Sequence, residues 1–497
     1  MEFLKMDETS VTLKLVGALT WIDFAILAAA VGILFVIAYF SGRKEKDTQD
    51  YFLGSRKVPT IIACLSFVAT EVSAVTIMGN PATGFTENWQ YLQFFIGSAA
   101  ARILVAFLFI PVFYKYNCTT IYEFLKHRFG PETQYAGSIF FLLTRLVGSS
   151  VRLYAACLGV SIILGWPLTQ SLILFTLISI VFIGFGGIKA VVWTGAYETL
   201  VFFLAGGAVA VYLLSQIHGG LTEVHHIAGP AGKLSIFNFN LDLNNPTTFW
   251  AGTANAFFIC LAIFGTDQEL MQRLLTVETR RSSQKAIIST MLAALPLTIL
   301  YLSLGTLLFV FYHQHPNLPL PKESKEILSW FVLHSLPTGF KGLILAAIIL
   351  ASIDSPLSSL SSSFVTDIYR PLINKTASEK HYLWISRLGV IAFGLILASL
   401  AYACQPVKNV LWFAFQVVSV TGGSTLGIFL LGLLTKRVSN KANIAAMLTS
   451  AIAMGILLYL SITKQIPLAW SWIIVIGTIL TFILGYILGP LMDKEDL

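Results

Sequence analysis

The sequence predicts an all-α, polytopic membrane protein of about 13 transmembrane helices. Of its 497 residues, 56% are apolar and only 57 (32 Lys+Arg, 25 Asp+Glu) are charged, with a mean hydropathy of +0.78. A soluble domain averages about 25% charged residues. A helix needs about 20 residues to cross about 30 Å of hydrocarbon, and mainly apolar runs of that length recur thirteen times. Charges, prolines and glycines collect between them.

The runs lie at about 21–40, 59–83, 88–115, 134–164, 166–184, 188–217, 247–273, 285–313, 342–369, 382–404, 408–435, 441–463 and 468–490. The first is followed by Arg43, Lys44 and Lys46 and by no small-residue cleavage site, so it reads as a retained helix. In the second, small and hydroxylated residues crowd the stretch from Leu65 to Pro81 around Glu71, and Gly79 and Pro81 weaken its end. Tight helix packing accounts for the small residues but not for Glu71, which belongs beside an ion, an amine or an arginine. The third run carries Arg102, the fourth Arg145 and Arg152, and the sixth Glu198. Snorkelling is the simplest account of an arginine near a helix end such as Arg145. Arg102 and Arg152 sit nearer the middle of their runs, and Arg152 is expected to pair with Glu71 or to bind an anionic solute.

The ninth run carries Ser352, Ser355, Ser359, Ser362 and Thr366 on one helical face with Asp354 on its flank. The distal hydroxyls can bond back to their own helix. An oxygen stripe beside a carboxylate is also what a desolvated hard cation needs, which makes the stripe the first-choice ion site.

The connecting stretches 218–246 and 314–341 are the longest, and neither is long enough to build a soluble domain. Chemistry is therefore expected within the helical bundle. Cys64, Cys118, Cys157, Cys260 and Cys404 are scattered without a CxxC spacing, so reduced packing thiols and no structural metal are expected. The net charge of +7 includes no basic block that could track a nucleic acid. It follows topology instead: with the stretch after the first run cytoplasmic, 21 of the 32 basic residues fall on that side and 8 on the other. This places the N-terminus outside and the C-terminus inside a cell membrane.

Several ordered motifs resemble the sodium/solute symporter family, which includes sodium/galactose, sodium/proline and sodium/sialic acid carriers. They are Asp50-Tyr51-Phe52-Leu53-Gly54-Ser55-Arg56, the segment from Thr120 to Gly130, and Gly186-Gly187-Ile188-Lys189-Ala190-Val191-Val192-Trp193-Thr194. Gly265-Thr266-Asp267-Gln268 with Gln272-Arg273, then Ser352-Ile353-Asp354-Ser355, and finally Phe429-Leu430-Leu431-Gly432-Leu433 follow in order. The resemblance implies one transport domain over 1–497 with a LeuT-like inverted repeat of two five-helix halves. The extra first helix is 21–40, repeat one about 59–217, repeat two about 247–435, and two further helices occupy about 441–490. The opening helix of each half would be broken inside the membrane, where unwound backbone is tolerated only beside a cavity.

The resemblance also implies a sodium site made by the carbonyls of Ala69, Val72 and Ile348 and the hydroxyl of Ser352. A second hydroxyl of the family falls on Ala351, for which Ser355 or Glu71 could substitute. The family aspartate after Trp-Thr falls on Gly195, leaving Glu198 and Asp354 as candidates for a second ion or for coupling. Solute contacts would come from Glu71, Ser73 and Thr76, with Arg152 and Gln416. The expected function is sodium-coupled uptake of a small polar organic solute by alternating access, with sodium as coupling ion, no other cofactor and lipid as surroundings. Proton coupling through Glu71, Asp354 or Glu198 is the alternative within transport. A solute sensor or an integral-membrane lipid enzyme are the competing classes, though the eight histidines show no catalytic grouping.

Overall fold

The computed structural model describes residues 19–42, 48–353, 356–407, 409–437 and 439–492. Regular structure among them is entirely helical. Among the described residues, ten helices are long and apolar enough to cross a membrane, or eleven if the bent pair Thr48–Arg56 and Thr60–Glu71 is one span. The count falls short of the thirteen runs because several runs are not single unbroken helices.

The chain begins with α1 (Trp21–Ser41), whose Thr20/Asp23 capping box satisfies its first turn. Asp23 Oδ1 also accepts the Gly339 and Gly342 amides at 2.7 and 2.9 Å, tying α1 to a later span. The second run divides into α2 (Thr60–Glu71) and α3 (Ala74–Thr86). The third continues from α4 (Phe94–Leu104) through a π-turn at Val105–Phe109. Next is α5 (Pro131–Leu164), followed by α6 (Leu168–Gln216), which joins the fifth and sixth runs across a kink. Gly187 makes that kink at φ 50°, ψ −165°, backbone that a side chain opposes.

The seventh run divides into α7 (Phe249–Thr266) and α8 (Gln268–Leu275). The eighth comprises α9 (Arg280–Ser289) and α10 (Met291–Gln314), and the ninth comprises α11 (Phe340–Ile353), α12 (Leu357–Ser363) and a π-helical Phe364–Ile373. Four unbroken spans complete the chain: α13 (Glu379–Ala403), α14 (Val410–Leu434), α15 (Lys441–Ile462) and α16 (Ile473–Met492). Side-chain caps fix several starts, with Thr248, Ser378 and Asn409 accepting amides of the first turns of α7, α13 and α14.

The bundle closes by backbone-to-backbone approach at small residues, as expected where lipid supplies no hydrophobic drive between helices. The clearest case joins α3 to α10. A Cβ added to Gly84 would stand 2.2 Å from the Leu302 carbonyl oxygen, and one on Gly305 would stand 2.2 Å from that of Pro81. Pro81 itself lies inside α3 and does not end it.

This crossing generates a stability prediction. Gly305→Leu is expected to cost about 1–3 kcal/mol by overpacking, read as a lower melting temperature in detergent. Gly455→Ala, whose added Cβ meets open space, should not lower it; equal melting of the two variants would refute the close crossing.

Candidate functional site

Two helix breaks organise the site. At the first, Val72 (φ −93°, ψ 77°) and Ser73 (φ −88°, ψ −176°) separate α2 from α3. Thr76 N donates to Ser73 O at 2.8 Å, so the Val72 carbonyl drops out of the helical ladder, and the extended Ser73 does not continue the ladder from Ala69. At the second break, Asp267 is extended (φ −107°, ψ 123°) between α7 and α8. Its Oδ1 caps α8 by accepting the Glu269 amide at 2.9 Å. The breaks fall at Val72–Ser73 and Asp267 rather than at Gly79, Pro81 or Gly265, because polar partners hold the unwound backbone.

Those partners are ionic. Both carboxylate oxygens of Glu71 lie 2.5 Å from Arg102 Nη2. Arg102 is 1% exposed, donates from Nε to Thr290 Oγ1 at 2.8 Å, and lies 4.5 Å over the Phe264 ring. Arg145 bridges Asp267, with Nε 3.1 Å from Oδ2, and its Nη1 is 2.7 Å from Glu269 Oε2. Arg152 Nη1 approaches Glu269 Oε1 at 3.4 Å. Arg273 donates to the Glu269 carbonyl at 2.8 Å and to Ser66 Oγ at 3.2 Å.

Two expectations are corrected here. Arg152 does not pair with Glu71: Arg102 occupies that carboxylate, and Arg152 turns to Glu269. Arg145 does not snorkel, since it is buried and held between two carboxylates. Asp267 and Glu269 were absent from the candidate site residues, although Asp267 stands in a quoted motif. Their signal was available: acids inside an apolar run require partners, and the fourth run carries two arginines.

A cavity of about 130 Å³ opens between the breaks, α5 and α14. Its polar wall is made by Glu71, Ser73, Thr76, Arg145, Arg152 and Asp267, and Tyr91, Ile263 and Phe415 supply apolar surface. Four of the five expected solute residues therefore share one cavity. Gln416 is not among its lining residues; α14 presents Ala414, Phe415 and Val418 instead.

The expected ion residues divide differently. Ala69 and Val72 flank the first break and are buried, Ile348 is buried on α11, and α11 packs against α3 just beyond that break. Asp354 and Ser355 lie outside the described residues, as does the side chain of Ser352. Farther along the stripe, Ser359 Oγ donates to the Pro356 carbonyl at 2.8 Å and Ser362 Oγ to the Ser359 carbonyl at 3.0 Å. These two hydroxyls serve their own helix.

Glu198 is fully buried on α6 and does not line the cavity. One turn earlier, Gly195 meets α2 face to face: a Cβ there would stand 2.6 Å from Ser66 Oγ and 3.1 Å from Ser66 Cα. Thr199 Oγ1 continues this contact by donating to the Leu65 carbonyl at 2.7 Å. An aspartate at 195 would push α2 away.

The family model described as "Sodium:solute symporter family" matches residues 51–450. The chain is 28% identical over 490 residues to the sodium/sialic acid symporter SiaT of Proteus mirabilis, covering 95% of each protein. It is 26% identical over 446 residues to sodium-coupled monocarboxylate transporter 2 of Bos taurus, covering 87% of this chain and 72% of that one. Among solved structures, a substrate-bound outward-open Na+-coupled sialic acid symporter superposes with a TM-score of 0.86 at 26% identity, covering 95% of this chain and 98% of the other. The closed form of Mhp1, a nucleobase-cation-symport-1 family transporter, superposes with a TM-score of 0.54 at 15% identity over 89% of this chain and 94% of the other, a likeness of fold alone.

The Glu71–Arg102 pair generates a prediction of its own. Arg102→Met strands a carboxylate in an apolar bundle and should destabilise by about 3–5 kcal/mol, whereas the double variant Glu71→Leu/Arg102→Met should recover much of that loss. Melting of the purified variants checks this, and a double variant no more stable than Arg102→Met would contradict it.

Proposed function

The chain belongs to the sodium:solute symporter family, and from that premise we propose how its residues divide the work between ion and solute. It is an integral-membrane, sodium-coupled solute symporter and not an enzyme. We read it as one transport domain with thirteen helical passes, two inverted five-helix halves beginning at α2 and α7, and an external N-terminus. The matching breaks in those two opening helices, with a polar cavity between them, are the observation that carries the reading.

Sodium is assigned to the carbonyls of Ala69, Val72 and Ile348 with the hydroxyls of Ser352 and Ser355. Unwound carbonyls beside the first break and the packing of α11 on α3 support that assignment. Sodium binding would hold α2 and α11 together and so favour one of the alternating states, a coupling free energy between ion and solute. Arg102 Nη2 engages both Glu71 carboxylate oxygens, which supports a structural role for Glu71 rather than a coupling one. Gly195 supplies no side-chain oxygen and allows α6 to close on α2, so we assign one sodium per cycle and a structural role to Glu198.

The solute is assigned to the cavity, contacting Ser73, Thr76 and Arg152, with Gln416 the least supported member of that set. Relatives are named for sialic acid and for monocarboxylates, and two guanidinium groups stand on the cavity wall. A small organic solute with a carboxylate fits both observations, because arginine presents a planar fork to carboxylate oxygens.

Proteoliposome uptake of small carboxylic acids, with and without an imposed sodium gradient, tests the coupling. Accumulation should require the gradient and follow a sodium Hill coefficient near one. A coefficient near two that falls to one in Glu198→Gln would overturn the single-ion assignment. Ser352→Ala should raise the sodium concentration for half-maximal uptake. Arg152→Met should raise KM for the solute about 10- to 100-fold, the loss of one charge-assisted hydrogen bond, and an unchanged KM would move the carboxylate elsewhere.

A further inference from the structure

The segment before α7 alternates strictly in sequence: Phe237, Phe239, Leu241 and Leu243 are interleaved with Asn238, Asn240, Asp242 and Asn244. It is irregular rather than helical up to a turn at Leu243–Asn244, and the rings of Phe237 and Phe239, two residues apart, stack at 5.7 Å, the same-side placement of alternate residues in extended backbone. The apolar side is left open, with Phe237 52%, Phe239 60%, Leu241 87% and Leu243 58% exposed. A run of four large exposed hydrophobic residues on one edge marks a contact surface.

Its main chain is pinned at three places, each at the start of a span. Asn238 N donates to Gln93 Oε1 at 3.0 Å, just before α4, and the Asn238 carbonyl accepts the Phe249 amide at 2.6 Å on α7. The Phe239 carbonyl accepts the indole N–H of Trp250 at 3.3 Å. The Leu243 carbonyl accepts the Ala469 amide at 2.9 Å, immediately before the short turn Trp470–Trp472 and α16. The strap therefore crosses the beginnings of three spans.

We infer that this strap lays its Phe237/Phe239/Leu241/Leu243 edge into the interfacial layer of the bilayer and keeps its asparagine edge in water. Continuity with the lipid-facing surface selects lipid as the occupant. Trp250, in the first turn of α7, is 49% exposed and holds the strap through its indole N–H. Tryptophan with an apolar body and one wet donor is the residue that marks membrane interfaces. Ile96, near the start of α4, is likewise exposed. The strap offers lipid an amphipathic edge of the same kind as an interfacial helix, built at a period of two.

Nitroxide scanning in lipid nanodiscs tests the inference on the full-length protein. Leu241→Cys and Asp242→Cys are labelled, and collisions with dissolved oxygen are compared with collisions with a water-soluble nickel chelate. Leu243→Cys and Asn240→Cys repeat the comparison at independent exposed positions. The oxygen-to-nickel ratio should be several-fold higher at 241 and 243 than at 240 and 242. Equal ratios at all four would place the strap in water, and low access to both reagents at 241 and 243 would mean that a protein surface, including a second copy of this chain, covers the edge. Either result overturns the lipid assignment.

Discussion

A charge inside a membrane-spanning bundle must be compensated by another charge, and the centre of this protein is built on that constraint. Glu71, Asp267 and Glu269 meet Arg102, Arg145 and Arg152, three carboxylates against three guanidinium groups. Removing one member exposes its partner to a medium that solvates ions poorly, so the set holds together more strongly than the individual contacts suggest. The network also decides where helices stop. Asp267 caps α8 with one oxygen and accepts Arg145 with the other, a geometry that a continuous helix through that position does not provide.

This arrangement turns two interruptions into a binding cavity. Unwound backbone needs hydrogen-bond partners, and in a bundle it can persist only beside protein or water. Arg145 and Arg152, which engage the carboxylates at the second break, also stand on the cavity wall. Arg152 meets Glu269 at 3.4 Å, the longest of these ion pairs. Arg102, enclosed by Glu71, Ser98, Thr290 and Phe264, is the fixed member. A loose and a fixed ion pair thus stand at the two breaks.

The membrane class, the helical content and the motifs were legible in composition and order because each rests on local residue content. The positions of the breaks were not. Gly79 and Pro81 looked like helix breakers, yet α3 runs through both, since its close crossing with α10 fixes that segment. The true break follows Glu71, a polar residue that sequence could flag but whose partner sits 31 positions away on another helix. Arg145 and Arg152 were visible as intramembrane charges; their carboxylates lie beyond position 260, and pairing at that separation has no local signature. The hydroxyl stripe was visible too, but only three-dimensional contacts showed that Ser359 and Ser362 are consumed by their own helix.

The departure at Gly195 acquires a physical meaning from its surroundings. A family aspartate there would bring an oxygen between α6 and α2, but the two backbones already touch at Ser66, and Thr199 bonds Leu65 across the same seam. Gly195 offers no side-chain oxygen, and the approach of the two backbones at Ser66 leaves little room for one, so both features belong to a single seam. Glu198, fully buried one turn away, sits beside a seam that has already closed. A compensating ion site at Glu198 would therefore have to reopen the α2–α6 contact, working against the packing that the glycine makes possible.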